Sequence, residues 1–395
     1  MKLDVKYPEN VIRIARILGN NGFKAYAVGG CMRDSVMGRS PADWDMTTDA
    51  SPEEMLSIFA SQGIRTIPTG LQHGTVSILL DDEIYECTTF RIDGEYSDSR
   101  HPNSVEFTKD VKDDLCRRDF TINALAGSPD SDDIIDLFDG IDDIKKKTVR
   151  CVGDPETRFT EDALRILRAV RFATVLDFEI EKDTKAAAQK LGSRLLSISA
   201  ERKCVELEKI LLSDHADHGI TRLLEMGLSQ YIHPDLKAPV VPLISLPKDF
   251  AIRLSALFDG NTPPNLSQMK LSGAVTKQVK LLCDKPFYES VLSVFPDDLS
   301  ASARLMISKF GAIAKSAAIL RNNVTLYNAI QTESQKNPCI KLSDLAIGGA
   351  DLLKFGIEDK KIGKIMQDLL LLVIETPEIN EKSALLERAA AYKES

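Results

Sequence analysis

GGCMRDSVMGRSPADWDMTTDA, residues 29–50, joins a glycine pair to an arginine-bearing segment and then to two aspartates one residue apart. The apolar KAYAV before it reads as a short strand ending at Gly29–Gly30, CMRDSVM as a helix that Gly38 can stop, and DWDMTT as an alternating second strand. On a strand, residues i and i+2 share a face, so Asp43 and Asp45 project side by side with Trp44 turned away. Two like charges so close repel unless a cation stands between them. An isolated Asp-x-Asp is ordinarily a solvated strand end. Here the glycines expose backbone N–H groups where a helix begins, which favours an anion, and Arg33 one turn on can add a forked contact to the same phosphate. A phosphate cradle followed within one strand by paired carboxylates is what nucleotidyl transfer requires. Oxygen-only ligands favour Mg²⁺, which binds through a few carboxylates, waters and substrate phosphates. Neither G-x-x-x-x-G-K-[ST] nor G-x-G-x-x-G occurs, so this is not a Walker or Rossmann turn.

Outward from that stretch, strand and helix signals alternate to about residue 148. SPEEMLSIFAS opens a helix with Ser51 as N-cap, Pro52 at N1 and Glu54 completing a capping box. HGTVSILLDDEIYECTTFRI predicts two strands around an Asp-Asp-Glu turn. A mixed sheet flanked by helices follows, and after Thr148 long amphipathic segments make the remainder almost wholly helical, an α+β chain overall. Proline-bearing stretches at Pro234–Pro247 and Pro263–Pro264 mark joints. Glu86 offers a third acid beside the aspartate pair, although an exposed edge-strand glutamate explains it equally well alone. In DDLCRRDFTINALA, read as helix-like, Arg118 could hold a triphosphate while Asp119 or Asn123 touches sugar hydroxyls; an internal ion pair is the alternative.

In RFTEDALRILRAVRF, Asp162, Arg165, Arg168 and Arg171 recur every three residues and are expected on one helix surface, with Ala163, Leu164, Ile166, Leu167 and Val170 as the buried stripe. A solvated, salt-bridged face is the usual meaning of such charges. A chemical match competes with it. Cytosine and adenine each carry an exocyclic amino donor beside a bare ring-nitrogen acceptor; an aspartate accepting from the first and an arginine donating to the second would admit C and A and reject U and G. Asp162 and Arg165 form such a pair.

Composition limits the alternatives. The chain has 395 residues, 43% hydrophobic and 28% charged, which suits a globular protein of several subdomains. No apolar run of about 18 residues occurs, and MKLDVKYPEN lacks the apolar core of a signal peptide, so a cytoplasmic location without membrane association is expected. The seven cysteines are scattered without a C-x-x-C pair, which points to reduced thiols rather than disulfides or a thiolate metal site. His215 and His218 in SDHADHG lack a carboxylate and a third ligand at convincing spacing and are expected to be ordinary surface groups. The net charge of −9 argues against non-specific adhesion to nucleic acid, while the bunched arginines leave room for a local basic groove.

The pieces GGCMRD with DWD, HGTVSI with YECTTFR, YSDSRHPNSVEF, RRDFTINALA, DLFDG, GDPETRFTEDALRILRAVRF and AERKCVELEKIL, taken in order, cover about half the chain. On them it resembles the bacterial class II CCA-adding tRNA nucleotidyltransferases, relatives of bacterial poly(A) polymerases with a polymerase-β-like head. The resemblance implies a catalytic head over 1–148, a helical neck with the base-reading helix over 149–212, a helical body over 213–305 and a helical tail over 306–395 that binds tRNA. It implies that Asp43 and Asp45 bind catalytic Mg²⁺ with Glu86 as third carboxylate. Gly30, Arg33 and Arg118 would contact the phosphates and sugar of CTP or ATP. Asp162 and Arg165 would read the base, Arg168 and Arg171 would continue the nucleotide or primer contacts, and no protein partner is required. The spacing Y-x-D-x-R-x-P, formed by Tyr96, Asp98, Arg100 and Pro102, looks like the CCA-adding form; A-adding enzymes keep a similar loop, poly(A) polymerases usually carry a different insertion, and a non-catalytic RNA-binding relative would have damaged metal ligands.

Overall fold

The computed structural model describes residues 5–94, 105–131 and 133–392, so Tyr96, Asp98, Arg100 and Pro102 lie outside the described residues. The chain forms two compact units, Met1–Pro234 and Asp235–Ser395, parting at the first proline-bearing joint. Among the described residues no helix is long and apolar enough to cross a membrane.

The first unit opens with α1 (Glu9–Asn20), β1 (Ala25–Val28), α2 (Gly30–Val36), β2 (Met46–Thr48) and α3 (Pro52–Ser61). Then come β3 (Arg65–Gly70), β4 (Thr75–Leu80), β5 (Glu83–Thr89), β6 (Arg91–Asp93), β7 (Val105–Phe107), α4 (Val111–Cys116), β8 (Leu125–Gly127), β9 (Ile134–Asp136) and α5 (Gly140–Lys145). Seven strands join in the order β3-β4-β5-β2-β1-β8-β9. All neighbours are antiparallel except β2 and β5, so the sheet is mixed, as expected. The capping box at α3 is present in full: the Ser51 side chain accepts from the Glu54 N–H at 3.2 Å and the Glu54 carboxylate accepts from the Ser51 N–H at 2.7 Å. The β4–β5 turn is tighter than the sequence suggested. Asp81 and Asp82 both take positive φ (49° and 63°) and Glu83 already pairs with Leu80, a two-residue turn whose twist matches that of the strands.

Two local readings are corrected. Asp43, Trp44 and Asp45 precede β2 rather than lying in it, although the Asp45 carbonyl accepts from the Val28 N–H at 2.9 Å and so continues the pairing with β1. The stretch 113–126 is not one helix: α4 stops at Cys116, Phe120 bridges to Cys151, and a single 3₁₀ turn spans Thr121–Asn123. Buried polar groups explain the break, since Thr121 donates to Asp143 at 2.6 Å and Asp119 accepts the next residue's N–H at 2.8 Å, bonds a continuous helix would forfeit.

The unit closes with α6 (Pro155–Glu161), α7 (Leu164–Leu176), α8 (Lys182–Lys190), α9 (Ala200–Leu211) and α10 (Ala216–Glu225). The expected stripe on α7 is buried, from Leu164 through Val170. Helix α10 packs on α7 and α9 at a separation set by Gly219, where an added Cβ would stand 2.5 Å from Thr174 Oγ1.

The second unit is helical: α11 (Phe250–Ser255), α12 (Gly273–Cys283), α13 (Lys285–Leu292), α14 (Leu299–Phe310), α15 (Ala314–Leu320), α16 (Val324–Gln335), α17 (Gly349–Lys354), α18 (Asp359–Glu375) and α19 (Lys382–Ala390). Its most informative polar residue is Arg304 on α14, 6% exposed. The guanidinium donates to the Ile374 carbonyl at 2.6 Å, the Glu375 carbonyl at 3.0 Å and Glu333 at 3.0 Å. A cation therefore satisfies the last carbonyls of α18, where the helix dipole favours it.

Candidate active site

The glycine turn, the aspartate pair and the arginines converge on a cavity of roughly 570 Å³ in the first unit. Gly29 takes φ 78°, which side chains disfavour, and a Cβ there would come within 3.0 Å of an Arg118 guanidinium nitrogen. The turn thus brings backbone and guanidinium to one wall. Arg118 and Arg117 are held from behind by the fully buried Asp114, which accepts from them at 3.2 and 2.6 Å. Burial pushes the Asp114 carboxyl up, and the two arginines outweigh it and hold it below its usual value. Arg33 is fixed by Asp34 and by a 2.8 Å bond to the Asn123 side-chain oxygen.

Asp43 and Asp45 open into the same cavity. Burial, then repulsion by Asp43 and by Glu86, pushes the Asp45 carboxyl above its usual range, with Arg118 offsetting part of the rise. Glu86 reaches this position through register: β2 and β5 run parallel with Met46 opposite Cys87, so the preceding residues Asp45 and Glu86 are neighbours. Glu86 is exposed on a strand flanked by β4 and β2, so it is not an edge-strand acid, and it is not among the side chains lining the cavity. Asp43, Asp45 and Glu86 offer oxygen donors alone, the ligand type that a hard divalent cation prefers.

The opposite wall comes from α7. Asp162 is not on that helix: it is extended (φ −135°, ψ 104°) between α6 and α7, accepting the Leu164 N–H at 2.9 Å and an Arg202 guanidinium bond at 3.0 Å. A carboxylate at a helix start satisfies a donor that the helix itself cannot. Arg165 is 8% exposed and donates to Glu161 at 2.7 Å and to the Arg117 carbonyl at 2.9 Å. The three-residue spacing thus holds for Arg165, Arg168 and Arg171 alone. Arg168 donates from Nε to Asp119 at 2.8 Å. Asp119 is 7% exposed; burial raises its pKa, but Arg168, Asn123 and Arg165 prevail and hold it at about 2. Arg171 lies 2.6 Å from Glu206, an acid 4% exposed on α9.

Nine of the ten residues expected at the site line this one cavity: Gly30, Arg33, Asp43, Asp45, Arg118, Asp162, Arg165, Arg168 and Arg171; Glu86 stands beside Asp45. The lining also includes Arg117, Arg202 and Phe172, which sequence reasoning did not single out. Phe172 has the guanidinium groups of Arg171, Arg168 and Arg33 at 3.9, 5.3 and 5.4 Å from its ring centre. The aromatic residue directly after Arg171 was the available signal; nothing local distinguishes Arg202. The cavity wall carries seven arginines and four aspartates, and Asp34, Asp114, Glu161 and Glu206 hold five of those arginines from behind.

Comparison with known proteins agrees. Residues 25–150 match the family described as Poly A polymerase head domain, and residues 177–239 match one described as a probable RNA and SrmB-binding site of polymerase A. The CCA-adding enzyme of Bacillus velezensis is 38% identical over 359 residues, 87% of each chain, and that of Limosilactobacillus fermentum is 37% identical over 382 residues, 93% of each. This chain belongs to the CCA-adding enzyme family. A crystal structure of the Bacillus stearothermophilus CCA-adding enzyme in complex with CTP superposes with a TM-score of 0.79 at 29% identity, covering 98% of this chain and 99% of that one. As a CCA-adding enzyme family member the chain is a nucleotidyltransferase, the class whose fold uses a divalent metal.

Proposed function

We propose that this enzyme adds C, C and A to the 3′ end of tRNA without a nucleic-acid template, taking CTP and ATP and releasing pyrophosphate. The observation that carries the reading is the convergence of the acidic pair, the arginines and Asp162 in one cavity. Asp43 and Asp45, with Glu86 beside them, hold Mg²⁺, which when bound supplies a Lewis acid that favours the ionised 3′-hydroxyl and offsets triphosphate charge. Gly30, Arg33 and Arg118 orient the triphosphate so that the tRNA 3′-oxygen attacks the α-phosphorus in line. The new P–O bond forms as the bond to pyrophosphate breaks, and the hydroxyl proton leaves to solvent.

Asp162 and Arg165 select the base. An ionised carboxylate has about four acceptor sites, and Asp162 uses two on Leu164 and Arg202, so it can still accept from an exocyclic amino group. Phe172 and its three guanidinium neighbours add a stacking face. For the chain's organisation we propose a head over 1–148, a neck over 149–212 and a body and tail built from the helices that follow, the tail holding tRNA. The buried cluster around Leu352, Leu369 and Leu385 supports a C-terminal part with its own apolar core, joined to α14 through Arg304.

The test offers tRNAs ending before CCA, after C and after CC, with each nucleoside triphosphate and Mg²⁺. Growth of all three to a CCA end from CTP and ATP is expected. Growth from the CC-ended substrate alone makes this an A-adding enzyme, a run of A residues makes it a poly(A) polymerase, and no growth refutes catalysis.

A further inference from the structure

Away from the cavity, the end of α7 meets the start of α10. Asp177 follows α7 in the left-handed conformation (φ 58°, ψ 51°), while His215 immediately precedes α10 and His218 lies in its first turn. His215 and His218 lie at the surface as expected, and the fold brings beside them a carboxylate, Asp177, that their own segment lacks. One carboxylate oxygen of Asp177 and one nitrogen of each imidazole lie within 4.8 Å of one another, with His215 Nδ1 at 3.6 Å from Asp177 Oδ1. Donors around a tetrahedral zinc with bonds near 2.0–2.1 Å stand about 3.3 Å apart, so side-chain rotations that draw the donors together by up to about 1.5 Å close the set.

The backbone beneath these side chains is already fixed. The Asp177 N–H donates to the Thr174 carbonyl at 3.3 Å, and the His215 N–H donates to Ser213 Oγ at 3.1 Å. Gly219 lets α10 approach to where a Cβ would stand 2.5 Å from Thr174 and 2.7 Å from Ile210. The two imidazole rings lie 6.2 Å apart and only 28° from parallel. Asp177 and His218 are exposed and His215 is half-buried, so water can complete the coordination. Two imidazoles and a carboxylate favour zinc over Mg²⁺ or Ca²⁺, in contrast to the all-oxygen set at Asp43 and Asp45. A cation there also lies at the C-terminal end of α7, where the helix dipole is favourable.

We propose that Asp177, His215 and His218 form a zinc site with an open, water-filled position, tying the end of the helix that carries Arg165, Arg168 and Arg171 to α10. The inference is independent of the tRNA reading. The full chain, stripped with chelator and kept in excess Mg²⁺ to satisfy the acidic pair, is titrated with Zn²⁺ alone by calorimetry, and bound metal is counted after gel filtration. One tight equivalent is expected in the parent protein, with a rise in melting temperature. His215→Gln with His218→Gln, and separately Asp177→Asn, should weaken that equivalent by at least about 100-fold, beyond what loss of an outer-shell partner does. Nucleotidyl transfer without zinc should be unchanged, and unaltered Trp44 fluorescence shows that the variants fold. Absence of a tight equivalent in the parent, or an equivalent that survives in the double-histidine variant, overturns the assignment.

Discussion

Asp119→Asn isolates the ion pair that holds Arg168 at the cavity wall. One oxygen of Asp119 accepts from Arg168 and the other from the Phe120 N–H and the Asn123 amide, at 2.8 and 3.2 Å. Asparagine keeps the shape but turns one acceptor into a donor, so in either orientation an amide N–H faces another donor. The magnitude follows from the carboxyl itself, held at about 2 against an ordinary 3.8, which corresponds to about 2 kcal/mol of stability at neutral pH. Because the folded pKa lies below the unfolded one, this contribution is complete above about pH 4 and is lost as pH falls through about 2. Trp44, the sole tryptophan, lies in the first unit with its ring 5.6 Å from that of Tyr7, and its fluorescence reports that unit's unfolding in urea. The variant's midpoint should fall by about 1 M at neutral pH, with the gap narrowing below about pH 4. Equal midpoints at neutral pH, or a gap that does not change as pH falls toward 3, would refute the argument that Asp119 is an ionised partner of Arg168.

Four further substitutions have distinct expected outcomes. Asp43→Ala should abolish incorporation while tRNA binding by filter retention stays within about twofold, because metal placement is lost and the arginines remain; substantial turnover would remove Asp43 from the metal site. Arg165→Ala should lower the preference for CTP and ATP over UTP and GTP by about 10-fold or more in single-nucleotide incorporation, and unchanged selectivity would end its base-reading role. Gly140→Ala places a Cβ 2.2 Å from the Thr121 carbonyl oxygen, where backbone cannot yield cheaply, so a loss of about 1–3 kcal/mol is expected in the Trp44-monitored unfolding. Arg304→Met leaves the two terminal carbonyls of α18 without their donor and Glu333 with Lys336 as its remaining partner, and far-UV circular dichroism in urea should show a loss of about 1–3 kcal/mol.

What the sequence determined by itself was local or periodic. The capping box of Ser51 and Glu54 was legible because both partners lie within one helical turn, and the strand, glycine turn and helix at residues 25–36 because glycine and apolar alternation act over a few residues. The buried stripe of α7 was legible because periodicity reports burial directly. Tertiary structure decided everything that depended on a partner far along the chain: Asp119 with Arg168, Asp162 with Arg202, Arg171 with Glu206, and Asp177 with His215. It also moved Asp162 off the helix, since periodicity shows which residues could share a helical face but not where a carboxylate will cap and interrupt it. Electrostatic and hydrogen-bonding partners are chosen by distances of a few ångströms in space, and those distances exist only after the apolar pattern has folded the chain.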